Sequence, residues 1–125
     1  MQPQEVFRSR DYLVVFNNEA IVRDLIPEMR LLEQVDCTGV IVTAPGVTTD
    51  FVSRFFAPKV GISEDPVTGS SHCTRIPYWA ERLKKSKLTA AQLSKRNGAL
   101  VCEDRNGRVK IAGKAVTYLE GMIYI

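Results

Sequence analysis

Nowhere in the 125 residues is there a run of about 18 apolar side chains, so no segment reads as a membrane-crossing helix. The stretch from residue 1 to 11 is polar and charged and lacks the apolar centre of a secretion signal, which makes the cytoplasm the expected compartment and a membrane an unexpected partner. Cysteine is scarce: Cys37, Cys73 and Cys102 lie far apart with no Cys-x-x-Cys pair, which argues against a zinc ribbon or a redox dithiol and leaves reduced core thiols. Histidine occurs once, as His72, with no second ligand at metal-binding spacing, so no metal site is expected. Charge of one sign is not in large excess, with 17 basic and 14 acidic residues giving +3. The densest basic runs, Arg82 to Lys87 and Lys95-Arg96, carry no interleaved aromatics and read as a solvated helix end, so no nucleic-acid partner is expected.

What is present is the composition of one ordinary globular domain over residues 1–125, 45% hydrophobic and 25% charged. Tyr12-Leu13-Val14-Val15-Phe16 is β-branched and aromatic and predicts a buried strand, closed by Asn17-Asn18 as a helix start. Glu19 to Asp24 predicts a turn or two of helix. A second short helix is expected over Pro27 to Val35, with the proline at its first position. Gly39 to Ala44 and Asp50 to Phe56 predict two strands paired antiparallel across Pro45-Gly46. Between Pro58 and Gly69, two prolines and two glycines predict an irregular loop free to shape a site.

From Ser70 to Lys85 the pattern is helical, and Ile76-Pro77-Tyr78-Trp79-Ala80 is apolar all round, as in a helix surrounded by protein. Tyr78 and Trp79 are read as core, and Pro77 as a bend. Ala99 to Glu103, Arg108 to Ile111, Ala115 to Leu119 and Met122 to Ile125 predict a strand meander, with Gly121 suited to a bulge. The expected fold class is α+β, a mostly antiparallel sheet curled around the helix from Ser70.

The chemistry is expected at Glu64-Asp65-Pro66-Val67-Thr68-Gly69-Ser70-Ser71. Adjacent carboxylates stand in a restrained loop just before a helix whose free first-turn amides favour an anion. One reading is an anion cradle with a proton-handling carboxylate beside it, suited to moving protons on a carboxylate-bearing substrate. The other is that Asp65 or Thr68 merely caps the helix.

Arg54-Phe55-Phe56-Ala57-Pro58 followed by Gly61-Ile62-Ser63-Glu64-Asp65-Pro66-Val67-Thr68-Gly69-Ser70-Ser71-His72-Cys73 closely resembles the signature of the phenazine-biosynthesis PhzF-like family. The similarity continues through Pro77-Tyr78-Trp79-Ala80 to Gly113-Lys114-Ala115. The resemblance implies one half, the C-terminal one, of the diaminopimelate-epimerase-like fold, in which two pseudo-symmetric halves each wrap a sheet around a helix and share a cleft. It assigns Asp65 as proton donor or acceptor and Ser70 as a polar partner to the substrate, the two catalytic positions. The backbone amides of Gly69, Ser70 and Ser71 are then assigned to the substrate carboxylate, with Thr68 substrate-binding at the same turn; Glu64 is read as a secondary substrate-site residue or a hydrogen-bonding scaffold, and His72 as a cleft-lining or structural one. It implies an isomerase or epimerase working without cofactor or metal on a small carboxylate. Thiol-based racemisation is not expected, since no cysteine stands where Asp65 does.

Two departures qualify the resemblance. The family's general-base glutamate and its histidine belong to the N-terminal half, and nothing in residues 1–50 resembles those segments. An active cleft therefore needs a complementary half or a second copy of the chain as homodimer partner; the alternative is a catalytically silent half serving as a binding or interaction domain. Arg75 falls in a register where an apolar residue is expected, so it should reach solvent, find a carboxylate or face a cleft.

Overall fold

The computed structural model describes residues 2–125 and shows a single seven-stranded sheet in which every strand neighbours the next in sequence. The strands are β1 (Glu5–Arg8), β2 (Tyr12–Val15), β3 (Val40–Pro45), β4 (Phe51–Phe56), β5 (Lys87–Gln92), β6 (Gly98–Asp104) and β7 (Val109–Ala112). Four of the six pairings are antiparallel. The other two, β2 with β3 and β4 with β5, are parallel and therefore need crossovers. The first crossover holds α1 (Glu19–Asp24) and α2 (Met29–Glu33); the second holds the site loop and α3 (Gly69–Leu83).

The two crossovers cover opposite faces of the sheet. α1 and α2 pack with Phe16, Val22, Val42 and Phe56 into one core, and α3 contributes Ile76 and Trp79 to the other, among Leu13, Ile41, Phe51 and Leu88. α3 touches the whole width of the sheet. Tyr78 Oη donates to Glu5 on β1, Trp79 Nε1 donates to Thr43 Oγ1 on β3, and Val109 and Ile111 of β7 pack on the same core. Seven strands about 4.8 Å apart would span roughly 29 Å if flat, against about 10–12 Å for a helix with its side chains. Contact at both edges is met by a sheet curled toward α3, but the expectation of a helix surrounded by protein is corrected: Cys73, Thr74, Pro77 and Glu81 form an exposed face.

Several local expectations are corrected. α2 starts at Met29, and Pro27 lies in the connector before it, because Leu25 leaves α1 in an extended conformation (φ −60°, ψ 125°). β1 and β5 were not legible as strands. In β5 only alternate residues are buried, Leu88, Ala90 and Gln92, and two of those are short or polar. The strands expected at Ala115 to Leu119 and Met122 to Ile125 do not form: the chain leaves the sheet after Ala112, and these residues are exposed without a strand partner. α3 continues through Pro77 and stops at Lys84, whose left-handed backbone (φ 55°) directs its N–H to Ala80 and Glu81.

Candidate active site

The loop between β4 and α3 is irregular but tightly held. A 3₁₀ turn at Pro58–Val60 ends on Gly61, whose φ of 83° suits a residue without a side chain. The Arg54 guanidinium then grips Glu64 with two bonds, Nε to Oε1 at 2.7 Å and Nη2 to Oε2 at 3.0 Å. Its Nη1 donates to the carbonyls of Val22, Arg23 and Leu25 where α1 ends. Glu64, expected as a secondary site residue, thus has both carboxylate oxygens committed to anchoring the loop.

From Asp65 onward the loop hangs on Gln92, a fully buried residue at the end of β5. Gln92 Nε2 donates to the Asp65 carbonyl at 2.8 Å and to Thr68 Oγ1 at 3.1 Å, while its Oε1 accepts the Thr68 N–H at 3.0 Å. Ser94 Oγ donates to the Pro66 carbonyl, and the Asp65 N–H donates to Phe55. The Thr68 hydroxyl donates to Asp65 Oδ2 at 2.5 Å. Because that hydroxyl is spent on Asp65, Thr68 makes no capping bond to α3, although it occupies the N-cap position with an extended backbone. The first-turn amides of Gly69, Ser70 and Ser71 have no acceptor within the helix. Gly69 and Ser70 are exposed, and a Cβ placed on Gly69 would meet nothing within 4 Å. The entrance of α3 is open, with a carboxylate oriented beside it.

Arg10 adds a positive charge there: its Nη2 lies 3.5 Å from Ser70 Oγ and 3.2 Å from Asp11 Oδ2. Neither Arg10 nor Gln92 was legible as a site residue, since both reach the loop through strand pairing and lie far from the motif in sequence. Asp65, Thr68, Gly69 and Ser70 do come together at the entrance. Ser71 and His72 are placed differently, with side chains fully buried beneath it. A substrate role for Ser71 therefore rests on its backbone amide, and the His72 ring has no route to a ligand at the surface.

Under the entrance lies a buried polar layer. Ser71 Oγ donates to the Thr68 carbonyl at 2.9 Å and accepts from Arg75 Nη2 at 2.5 Å. Arg75 corrects the expectation of solvent, carboxylate or cleft: it is fully buried and bonded only to neutral groups, and its Nε and Nη1 have no partner among the described residues. Burial pulls its pKa down to about 9, which still leaves it cationic at neutral pH. His72 Nδ1 sits 2.7 Å from both the Thr68 carbonyl oxygen and Arg75 Nη2. Burial, and then the Arg75 charge, lower the His72 pKa to about 4, so the ring is neutral. A neutral histidine beside a buried cation is a structural element and not a proton carrier near pH 7.

Among the described residues no group of three or more His, Cys, Asp or Glu is arranged to hold a metal ion, and no helix is long and apolar enough to cross a membrane. A depression of about 800 Å³ opens on the sheet face over β5 and β6 and meets the site loop at Val67.

The chain is similar to known proteins over nearly its whole length. The family model described as phenazine biosynthesis-like protein matches residues 4–121. Two Pseudomonas aeruginosa proteins named as uncharacterized isomerases are 47% and 51% identical over 97% and 98% of the chain. Among solved structures, a phenazine biosynthesis PhzC/PhzF protein from Clostridium difficile superposes with a TM-score of 0.88 at 48% identity, covering all of this chain and 49% of its own. A PhzF-family protein from Enterococcus faecalis gives 0.82 at 42% identity, covering 94% of this chain and 48% of its own. The chain spans about half the length of these relatives, 47% and 48% of the two Pseudomonas proteins. With the signature loop folded as one unit and the match running through the sheet, the chain belongs to the phenazine biosynthesis-like protein family.

Proposed function

We propose that this chain forms one wall of an isomerase site, the C-terminal half of a diaminopimelate-epimerase-like architecture, that moves a proton at carbon on a small carboxylate-bearing metabolite. The observation that carries the reading is the Asp65 carboxylate, held by the Thr68 hydroxyl at 2.5 Å beside the uncapped amides of α3. The first-turn amides and Arg10 receive the substrate carboxylate; Asp65 gives or takes the proton; Ser70 orients a polar group of the substrate. The reaction uses cytoplasmic substrate and neither metal nor cofactor. An opposed acid or base is needed on the far side of the carbon, and a second copy of this chain or a complementary half supplies it.

A second reading, a catalytically silent binding domain, is favoured by one observation: the entrance is an open surface and does not line the depression over β5 and β6. Incubation in D₂O with a panel of small carboxylates, followed by proton NMR, separates the two. The isomerase reading expects loss of one C–H signal, slowed by about 100-fold or more in Asp65→Asn and retained in Glu64→Gln. No exchange across the panel would leave the silent domain standing.

A further inference from the structure

Arg75 breaks the pattern of its own helix. An apolar side chain is expected in that register, yet a guanidinium stands there, fully buried, with its Nε and Nη1 unpartnered among the described residues. Side chains on a helix tilt toward its N-terminus, and Arg75 reaches back to the underside of the α3 entrance. Its Nη2 lies 2.5 Å from Ser71 Oγ and 3.5 Å from the Thr68 carbonyl oxygen. Its other contacts are neutral as well, His72 Nδ1 at 2.7 Å and Gln92 Oε1 at 3.5 Å. Cys102, the acidic group that acts on it from β6, has a thiol that burial pushes up to about 11, so it adds no negative charge at neutral pH. The Arg75 charge is thus neither paired nor solvated.

None of its partners depends on it. Ser71 Oγ still donates to the Thr68 carbonyl, Gln92 Oε1 still accepts the Thr68 N–H, and His72 Nδ1 lies 2.7 Å from the same carbonyl oxygen. A buried, unpaired cation destabilises a fold, and a well-packed apolar side chain in its place is often neutral or better. Breaks of local pattern without a structural gain concentrate at functional sites. Here the surface directly above the charge is the open entrance, where Gly69 and Ser70 are exposed.

We infer that Arg75 is a positioning residue: its buried charge, lying beneath Thr68 and Ser71, draws a carboxylate onto the first-turn amides of α3. This deepens the site proposed above and rests on that reading. A buried charge is screened by salt far less than a surface one, such as the half-exposed Arg10 that is paired with Asp11. Two unit charges about 8 Å apart at an effective dielectric near 20 interact strongly enough to change an affinity by about 30-fold.

Titration of the ¹⁵N-labelled chain with acetate at pH 7, read at the amides of Gly69, Ser70 and Ser71, tests this beside Arg75→Met and Arg75→Leu. Urea denaturation gives the stability of each. In both variants the acetate affinity should fall by about 10-fold or more while the urea midpoint holds or rises. Arg82→Gln removes the same charge from the exposed far end of α3 and should leave the affinity within about twofold. Unchanged acetate affinity in the two Arg75 variants overturns the inference and leaves the site reading standing. A fall in affinity that comes with a lowered urea midpoint, or with variants that do not fold, assigns Arg75 to packing and overturns it too. Wild-type amides that do not respond to acetate overturn the carboxylate-binding reading itself, and the inference with it.

Discussion

The Gln92 side-chain amide holds Thr68 from two sides, Oε1 accepting its backbone N–H at 3.0 Å and Nε2 reaching its hydroxyl at 3.1 Å. The same Nε2 donates to the Asp65 carbonyl, so one buried amide sets the separation between the carboxylate-bearing residue and the helix start. The Thr68 hydroxyl, steadied by Gln92, then points at Asp65 and not into α3.

Replacing that amide should cost stability and order. In Gln92→Leu the Thr68 N–H and the Asp65 carbonyl lose their partners in a buried setting. At about 1–3 kcal/mol for each of these two unsatisfied groups, a loss of about 2–6 kcal/mol is expected. Urea denaturation measures it. Gln92→Glu keeps the acceptor for Thr68 and gives Arg75 a counter-charge, so it should fall between wild type and Gln92→Leu.

Arg54 and Glu64 should behave as one structural unit. The guanidinium binds both carboxylate oxygens and three carbonyls at the end of α1, a geometry that the ammonium of lysine does not reproduce. Arg54→Lys is expected to lower stability by about 1.5–3 kcal/mol, the range for hydrogen bonds to charged groups. The double variant Arg54→Lys, Glu64→Gln should cost less than the sum of the singles; additive losses in thermal melts would show that the two act independently.

Acid should weaken the fold through His72. Its pKa is near 6.5 in the unfolded chain and about 4 in the folded one, because burial and the Arg75 charge oppose protonation. Between these values the unfolded chain binds more protons, so stability rises with pH across this window and is lost as pH falls from 6.5 toward 4. The loss should reach about 3 kcal/mol. Urea midpoints at pH 7 and pH 4.5 for wild type and His72→Gln check it, the variant showing the smaller difference.

Thiol reagents should distinguish the cysteines. Cys73 is exposed on α3, whereas Cys102 is fully buried in β6 and burial pushes its thiol up to about 11. At pH 8, Cys73 is expected to react with an aromatic disulfide reagent within minutes and Cys102 only after denaturant is added, as read by mass spectrometry of the labelled peptides.

Where local pattern and local structure coincide, the sequence by itself determined the outcome. The β-branched run at Tyr12, the pair of strands around Pro45-Gly46, the apolar helix through Trp79 and the loop at Asp65 all follow from residue types within a few positions of each other. The order of strand-like and helical stretches also pointed to the α+β fold. Tertiary structure alone decided the partners. β5 is a strand because β4 and β6 flank it, despite its modest apolar content. Glu64 is an anchor because Arg54 reaches it, and Arg75 is buried without a carboxylate because α3 turns that register toward Gln92 and Ser71. The tail after Ala112 has strand-like residues but, among the described residues, no neighbouring strand to bond. A strand's backbone groups are satisfied only across the chain, so side-chain pattern supplies the preference and the pairing partner settles the state.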